Sequence, residues 1–176
     1  YISFYKDERL QLNKSFKTIN ASELNITTND VLEAYQFARI INHYQGFKLI
    51  AEASKNHKWN LNLSEIARIW TNGCIIRSNI MEDLVDVFKD TTNILTNSQI
   101  VDTVNQYKPS AKKVVLQCVL NDITTPALGE AIQFFNGITT KYVSANVIQA
   151  QRDYFGAHTY QRLDDDSEKN YHTDWK

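Results

Sequence analysis

Between Thr27 and Lys55 the sequence carries a helix signal strong enough to set the fold class. Thr27 and Asp30 stand at capping-box spacing, which satisfies amide groups at a helix start. From Val31 to about Lys55, Leu32, Tyr35, Ile40, Phe47, Ile50 and Ala53 recur at helical spacing, and Ile41, Tyr44 and Leu49 widen the stripe. Such periodicity buries one broad face. Gly46 lies inside the pattern, and a mid-helix Gly costs about 1 kcal/mol relative to Ala, so close packing against a neighbouring backbone is expected there. Only five Gly and two Pro occur in 176 residues, which leaves few turn points and favours long helices over a strand-rich fold.

Further helices follow the same logic. A polar helical piece spans Ile2 to about Phe16. Asn62 and Glu65 repeat the capping spacing and open a short helix through Trp70, with Gly73 offered as a left-handed terminator. A helix is expected from Cys74 to about Phe88, then a polar loop with a short turn over DTTNILTNSQ, and a helix from Pro109–Ser110 to Leu120. Thr125-Pro126 marks another start, because Pro at the first helical position loses no needed amide bond; that helix ends near Gly137, and a last one runs from about Ser144 toward Phe155. No strand alternation persists. The expected architecture is all-α: a compact multi-helix domain over residues 1–160 and an extended tail over 161–176.

The totals exclude several function classes. A formal net charge of -1 gives no general pull toward nucleic acid or an anionic membrane. No apolar run approaches a membrane span, and the start, YISFYKDERLQL, has no basic leader followed by an apolar core, so a cytoplasmic protein is expected. Cys74 and Cys118 stand in apolar settings without CxxC spacing and read as reduced, buried thiols. The sequons at Asn20, Asn25 and Asn62 read as chance products of an Asn/Thr-rich composition. The first residue is Tyr rather than Met, which is expected of a fragment, a processed product or an incompletely observed chain.

No glycine fingerprint, phosphate loop, HExxH or Cys/His quartet occurs, so neither a nucleotide site nor a metal site is read here. Asp164-Asp165-Asp166 lacks the alternating ligands and Gly of a calcium loop and reads as a solvated turn. No carboxylate pair or nucleophile stands out. His43 and His57 read as ordinary surface or helix-supporting residues. More informative are three cationic or near-cationic groups. Arg77 interrupts the apolar run CIIRSNI, where a lone charge needs an acidic partner such as Glu65 or Asp83, or an open cleft. Arg152 and His158 fall in QAQRDYFGAHTYQR. On an uninterrupted helix they would lie about 120° apart; a helix that ends or bends at Gly156 lets both converge on one anion. The alternative is Arg152 paired with a nearby acid and His158 capping the helix end.

The strings IARIWTNGCIIRS (66–78), SANVIQAQRDYFGAHTY (144–160) and YHTDW (171–175), in that order, resemble the C-terminal half of the 6-phosphogluconate dehydrogenase family. YQGFKLIAEAS (44–54), WNLNLSEIARIW (59–70) and PALGEAIQFFNG (126–137) support it, and the resemblance covers essentially the whole chain. It implies an enzyme that oxidises and decarboxylates 6-phospho-D-gluconate to ribulose 5-phosphate, usually with NADP. It implies a dimer built from an N-terminal Rossmann domain, a large helical domain and a tail that crosses the partner subunit. By this resemblance Arg77 contacts the substrate phosphate, and Arg152 and His158 reach the same phosphate from the other subunit. The family's catalytic Lys and Glu and its main cofactor-binding motifs lie upstream and do not occur here, so no catalytic residue is assigned and the segment alone is expected to be inactive. Departures are local: FFNGITT (134–140), VSAN (143–146) and the acidic DDDSEKN before the tail. A stand-alone, non-catalytic helical dimerisation or interaction module is the alternative.

Overall fold

The computed structural model describes residues 2–17, 19 and 23–175. Among them are seven α-helices: α1 (Lys6–Asn13), α2 (Thr28–His57), α3 (Leu63–Trp70), α4 (Asn79–Asp90), α5 (Ser98–Leu120), α6 (Pro126–Thr139) and α7 (Ala145–Gly156). Two short strands, β1 (Tyr160–Gln161) and β2 (Asn170–Tyr171), follow them, so the fold is all-α. The sequon at Asn20 lies outside the described residues. The chain divides into two compact units, with the boundary between Phe135 and Asn136 inside α6.

The first unit is organised by α2, whose 30 residues make a rod of about 45 Å. Its capping box is complete: Asp30 N donates to Thr27 Oγ1 at 3.1 Å, and Thr27 N donates to Asp30 Oδ2 at 2.6 Å. Lys58 in the left-handed region ends the helix. The buried face runs through Ala34, Phe37, Ile40, Ile41, Tyr44 and Phe47, whereas Leu32, Tyr35 and Leu49 are exposed. The buried face thus differs in part from the expected stripe. Apolar residues surround this helix, so spacing alone does not select the inward face. Gly46 meets nothing within 4 Å of where a β-carbon would stand, contrary to the expected close approach.

An aromatic core fills the space beside α2. Phe47 packs on Phe88 with ring centroids 4.4 Å apart and on Trp70 at 5.3 Å, while Phe37 meets Phe135 edge-on at 5.5 Å. Burying each such side chain stabilises the unit by about 1.5–3 kcal/mol. Ser64 at the start of α3 donates its hydroxyl to Val85 O of α4 at 2.6 Å, which ties these two helices together.

Two helix boundaries differ from expectation. α5 does not begin at Pro109 but runs through it from Ser98, capped by Asn97 Oδ1 accepting from Ile100 N at 3.2 Å. Ile100, Val104, Ala111, Val114 and Cys118 keep one buried face across the proline. Packing against α2 thus outweighs an interior-proline cost of about 3 kcal/mol. Just beyond Pro109, Ser110 Oγ donates to Glu33 Oε2 at 2.5 Å and Lys113 Nζ pairs with Asp30 Oδ2 at 2.8 Å. The second difference is at Cys74–Ser78, which is irregular; α4 starts only at Asn79. Cys118 is buried as expected, but Cys74 is half-buried in this irregular segment.

In the second unit α7 is followed by the tail, which turns back so that β1 and β2 pair antiparallel, Tyr160 opposite Tyr171 and Gln161 opposite Asn170. The acidic run sits in the turns between the strands. Arg162 grips Asp164 with two hydrogen bonds, 2.8 and 2.5 Å long, and the Tyr171 hydroxyl donates to Asp165, whose pKa is lowered to about 2 by that bond and by Ser167.

Candidate functional site

Arg77 belongs to the first unit and occupies the turn between α3 and α4. Gly73, with a φ of 69°, lets the chain reverse after α3, two residues beyond the cap rather than at the position expected. Arg77 N then donates to Cys74 O at 3.1 Å, and Ser78 Oγ donates to Ile76 O at 3.3 Å. The guanidinium pairs with Glu82 at 3.7 Å, not with Glu65 or Asp83, and its side chain is 65% exposed. Glu65 instead holds Arg68 at 2.8 Å. A long, solvated pair of this kind contributes about 0–1 kcal/mol, so Arg77 is available to a stronger anion.

A groove of about 1000 Å³ in this unit is lined by Glu33, Asp83, Asp86 and Asp90 among amides and hydroxyls from α2, α4 and α5. Its electrostatics oppose a phosphate. Among the described residues no cluster of His, Cys, Asp or Glu could hold a metal ion, and no helix is long and apolar enough to cross a membrane. His43 donates from Nδ1 to Arg39 O at 2.6 Å, with its pKa lowered mainly by burial, and His57 stacks on Trp59.

Arg152 and His158 belong to the second unit, on α7 and just after it. α7 ends at Gly156, and Ala157 takes the left-handed conformation (φ 48°, ψ 40°), so the helix does stop where convergence of the two groups requires it. Arg152 Nη1 reaches Gln149 Oε1 at 3.4 Å. Thr159 also has a positive φ, 61°, unusual for a β-branched residue. Two such positions in three residues store about 1–3 kcal/mol each and need outside support.

Asp153 supplies it, and sequence reasoning missed this residue. Its carboxylate is fully buried. Oδ1 accepts from Thr159 N and from His172 Nδ1, each at 2.9 Å; Oδ2 accepts from Thr173 N at 3.1 Å and Trp175 Nε1 at 2.9 Å. Burial pushes the carboxyl's pKa up, but the bonds from His172, Thr173, Trp175 and Thr159 outweigh it and hold the group below the ordinary carboxylate range. A second tie closes the turn, Gln149 Nε2 donating to Thr159 O at 2.5 Å.

These residues carry the motifs that match known proteins. The family described as 6-phosphogluconate dehydrogenase, C-terminal domain, matches residues 1–175. The chain belongs to the 6-phosphogluconate dehydrogenase family. Among its relatives, the decarboxylating 6-phosphogluconate dehydrogenase of Buchnera aphidicola subsp. Schizaphis graminum is 37% identical, over 99% of this chain and 38% of the relative. That of Caenorhabditis elegans is 37% identical, over 92% of this chain and 35% of the relative. A solved structure of Plasmodium falciparum 6-phosphogluconate dehydrogenase, studied in its apo form, with its cofactor NADP+ and with its substrate 6-phosphogluconate, superposes with a TM-score of 0.89 at 35% identity. It covers 99% of this chain, which in turn spans 38% of that protein. The chain thus spans well under half the length of the 6-phosphogluconate dehydrogenases it matches.

Proposed function

We propose that this chain is the substrate-side and dimerisation part of an enzyme that oxidatively decarboxylates 6-phospho-D-gluconate to D-ribulose 5-phosphate and CO2, with reduction of NADP. The observation that carries the reading is the join of family membership along residues 1–175 to an arginine and a histidine set at the broken end of α7. In this reading Arg152 and His158 bind the substrate phosphate, and Arg77 of the other subunit of a homodimer meets the same group. A guanidinium offers a rigid fork of donors to a phosphate and stays charged at any working pH. The groups orient substrate rather than transfer protons, so their contribution is positional. Residues 1–160 serve as the helical domain and 161–176 as the tail, and the enzyme works in the cytoplasm.

NADP chemistry belongs to the rest of the enzyme. The five glycines of this chain stand singly and none forms a phosphate-cradling fingerprint. No hydride step is therefore routed through these residues, and the segment alone is inactive.

Substitution Arg152→Ala in the enzyme carrying this segment is expected to raise KM for 6-phosphogluconate by about ten- to a hundredfold, the loss of a charge-assisted bidentate contact of about 1.5–3 kcal/mol. Unchanged KM and kcat/KM would refute the role.

A further inference from the structure

The structure assigns Gly156, Asp153 and Trp175 a further role as positioning residues that fix the His158 imidazole for the substrate phosphate, so that the YHTDW end of the tail is part of the site. This rests on the reading of Arg152 and His158 as phosphate ligands.

Three observations meet at this turn. First, the His158 ring lies over Gly156: a β-carbon placed on Gly156 would stand 2.8 Å from both Cδ2 and Nε2 of the ring. No real β-carbon tolerates that approach, so any side chain at 156 displaces the imidazole. Gly156 does not have a positive φ, and it is exposed. The backbone itself therefore has no need of glycine here; the ring does. Second, His158 is bracketed by Ala157 and Thr159, whose φ angles are 48° and 61°. A chain in this conformation relaxes unless its amides are held, and Thr159 N is held by Asp153 Oδ1 at 2.9 Å. Third, the same carboxylate is anchored from the far side by Trp175 Nε1 at 2.9 Å and Thr173 N at 3.1 Å. A carboxylate with both oxygens occupied cannot rotate without breaking bonds on both sides, so the tail, by holding Oδ2, keeps Oδ1 in place on the turn. His158 itself is exposed, with Phe155 edge-on to its ring at 6.4 Å, so a ligand can reach the imidazole.

The variants Gly156→Ala and Trp175→Phe, made in the full enzyme, separate this arrangement from a merely structural one. Alanine is the better helix former, so Gly156→Ala should leave Tm unchanged or raised. The same change should raise KM for 6-phosphogluconate by about tenfold or more, with kcat within about twofold, since displacement of a binding group by an ångström has that order of effect. Trp175→Phe keeps an aromatic ring and removes the N–H donor; a smaller rise in KM with kcat retained is expected. Wild-type KM in both variants, while His158→Ala raises it, would overturn the positioning role and leave the phosphate reading standing. If Arg152→Ala and His158→Ala themselves leave KM unchanged, the phosphate reading falls and the positioning role falls with it.

Discussion

Each of the two units has its own kind of internal support, and the two kinds are opposite in chemistry. All the buried apolar side chains among the described residues lie in the first unit, where Phe37, Phe47, Trp70, Phe88 and Phe135 interlock. Among the described residues of the second unit the buried one is a carboxylate, Asp153, and the surrounding helix exposes Val147, Ile148, Tyr154 and Phe155. A hydrophobic core is tolerant of direction, because apolar contact is roughly proportional to area. A carboxylate with four donors is directional: it fixes angles but loses its value when any one partner rotates. The first unit is therefore built for stability and the second for placement of side chains.

Truncating the aromatic core should have the largest effect on this contrast. Phe47→Ala is expected to destabilise the first unit by about 3–5 kcal/mol, read by chemical denaturation, while the Thr159 and Thr173 amides keep their protection under native conditions. Loss of that protection at the same time would mean the units do not differ in the way described.

Acid should act the other way. The Asp153 carboxyl has a folded-state pKa below its unfolded value of about 3.9. Its contribution is thus fully present above that value and is lost as pH falls through the folded value, below about pH 4. The Thr173 amide should lose protection against exchange on acidification in that range, and in the first unit the corresponding loss is at Asp30, whose carboxyl is also lowered, chiefly by the Lys113 hydrogen bond. An opening free energy of the Thr173 amide that does not fall between about pH 4 and pH 2 would sink the hydrogen-bonded account of the tail. The smallest effect is expected at Gly46, which has open space around it: Gly46→Ala should stabilise α2 by about 0.5–1 kcal/mol. A destabilisation would reveal a neighbour against that face in the assembled protein.

How legible each feature was in the sequence follows the range of the interactions behind it. The Thr27–Asp30 box, the Asn62 cap and the Pro126 start depend on residues three apart or fewer, and all three stand as read. The inward face of α2 and the passage of α5 through Pro109 depend on contacts between helices distant in sequence, and local rules misjudged both. At the site, Arg77, Arg152 and His158 stood out because charge in an apolar or glycine-broken context is visible in one dimension. Asp153 did not, since its donors lie 6 to 22 residues away and two of them are main-chain amides with no side-chain signature. The one available hint was an acid on the same helix face as Gln149, four residues earlier.

That division of donors also sets which substitutions the tail can absorb over time. At 159 and 173 the bond to Asp153 comes from the peptide N–H, which every amino acid except proline supplies, so for this bond the side chains there are free to drift. At 172 and 175 it comes from an imidazole and an indole, and few side chains reach the same oxygens with the same geometry. Asp153, His172 and Trp175 thus depend on one another's side chains, whereas Thr159 and Thr173 enter this cluster through the main chain.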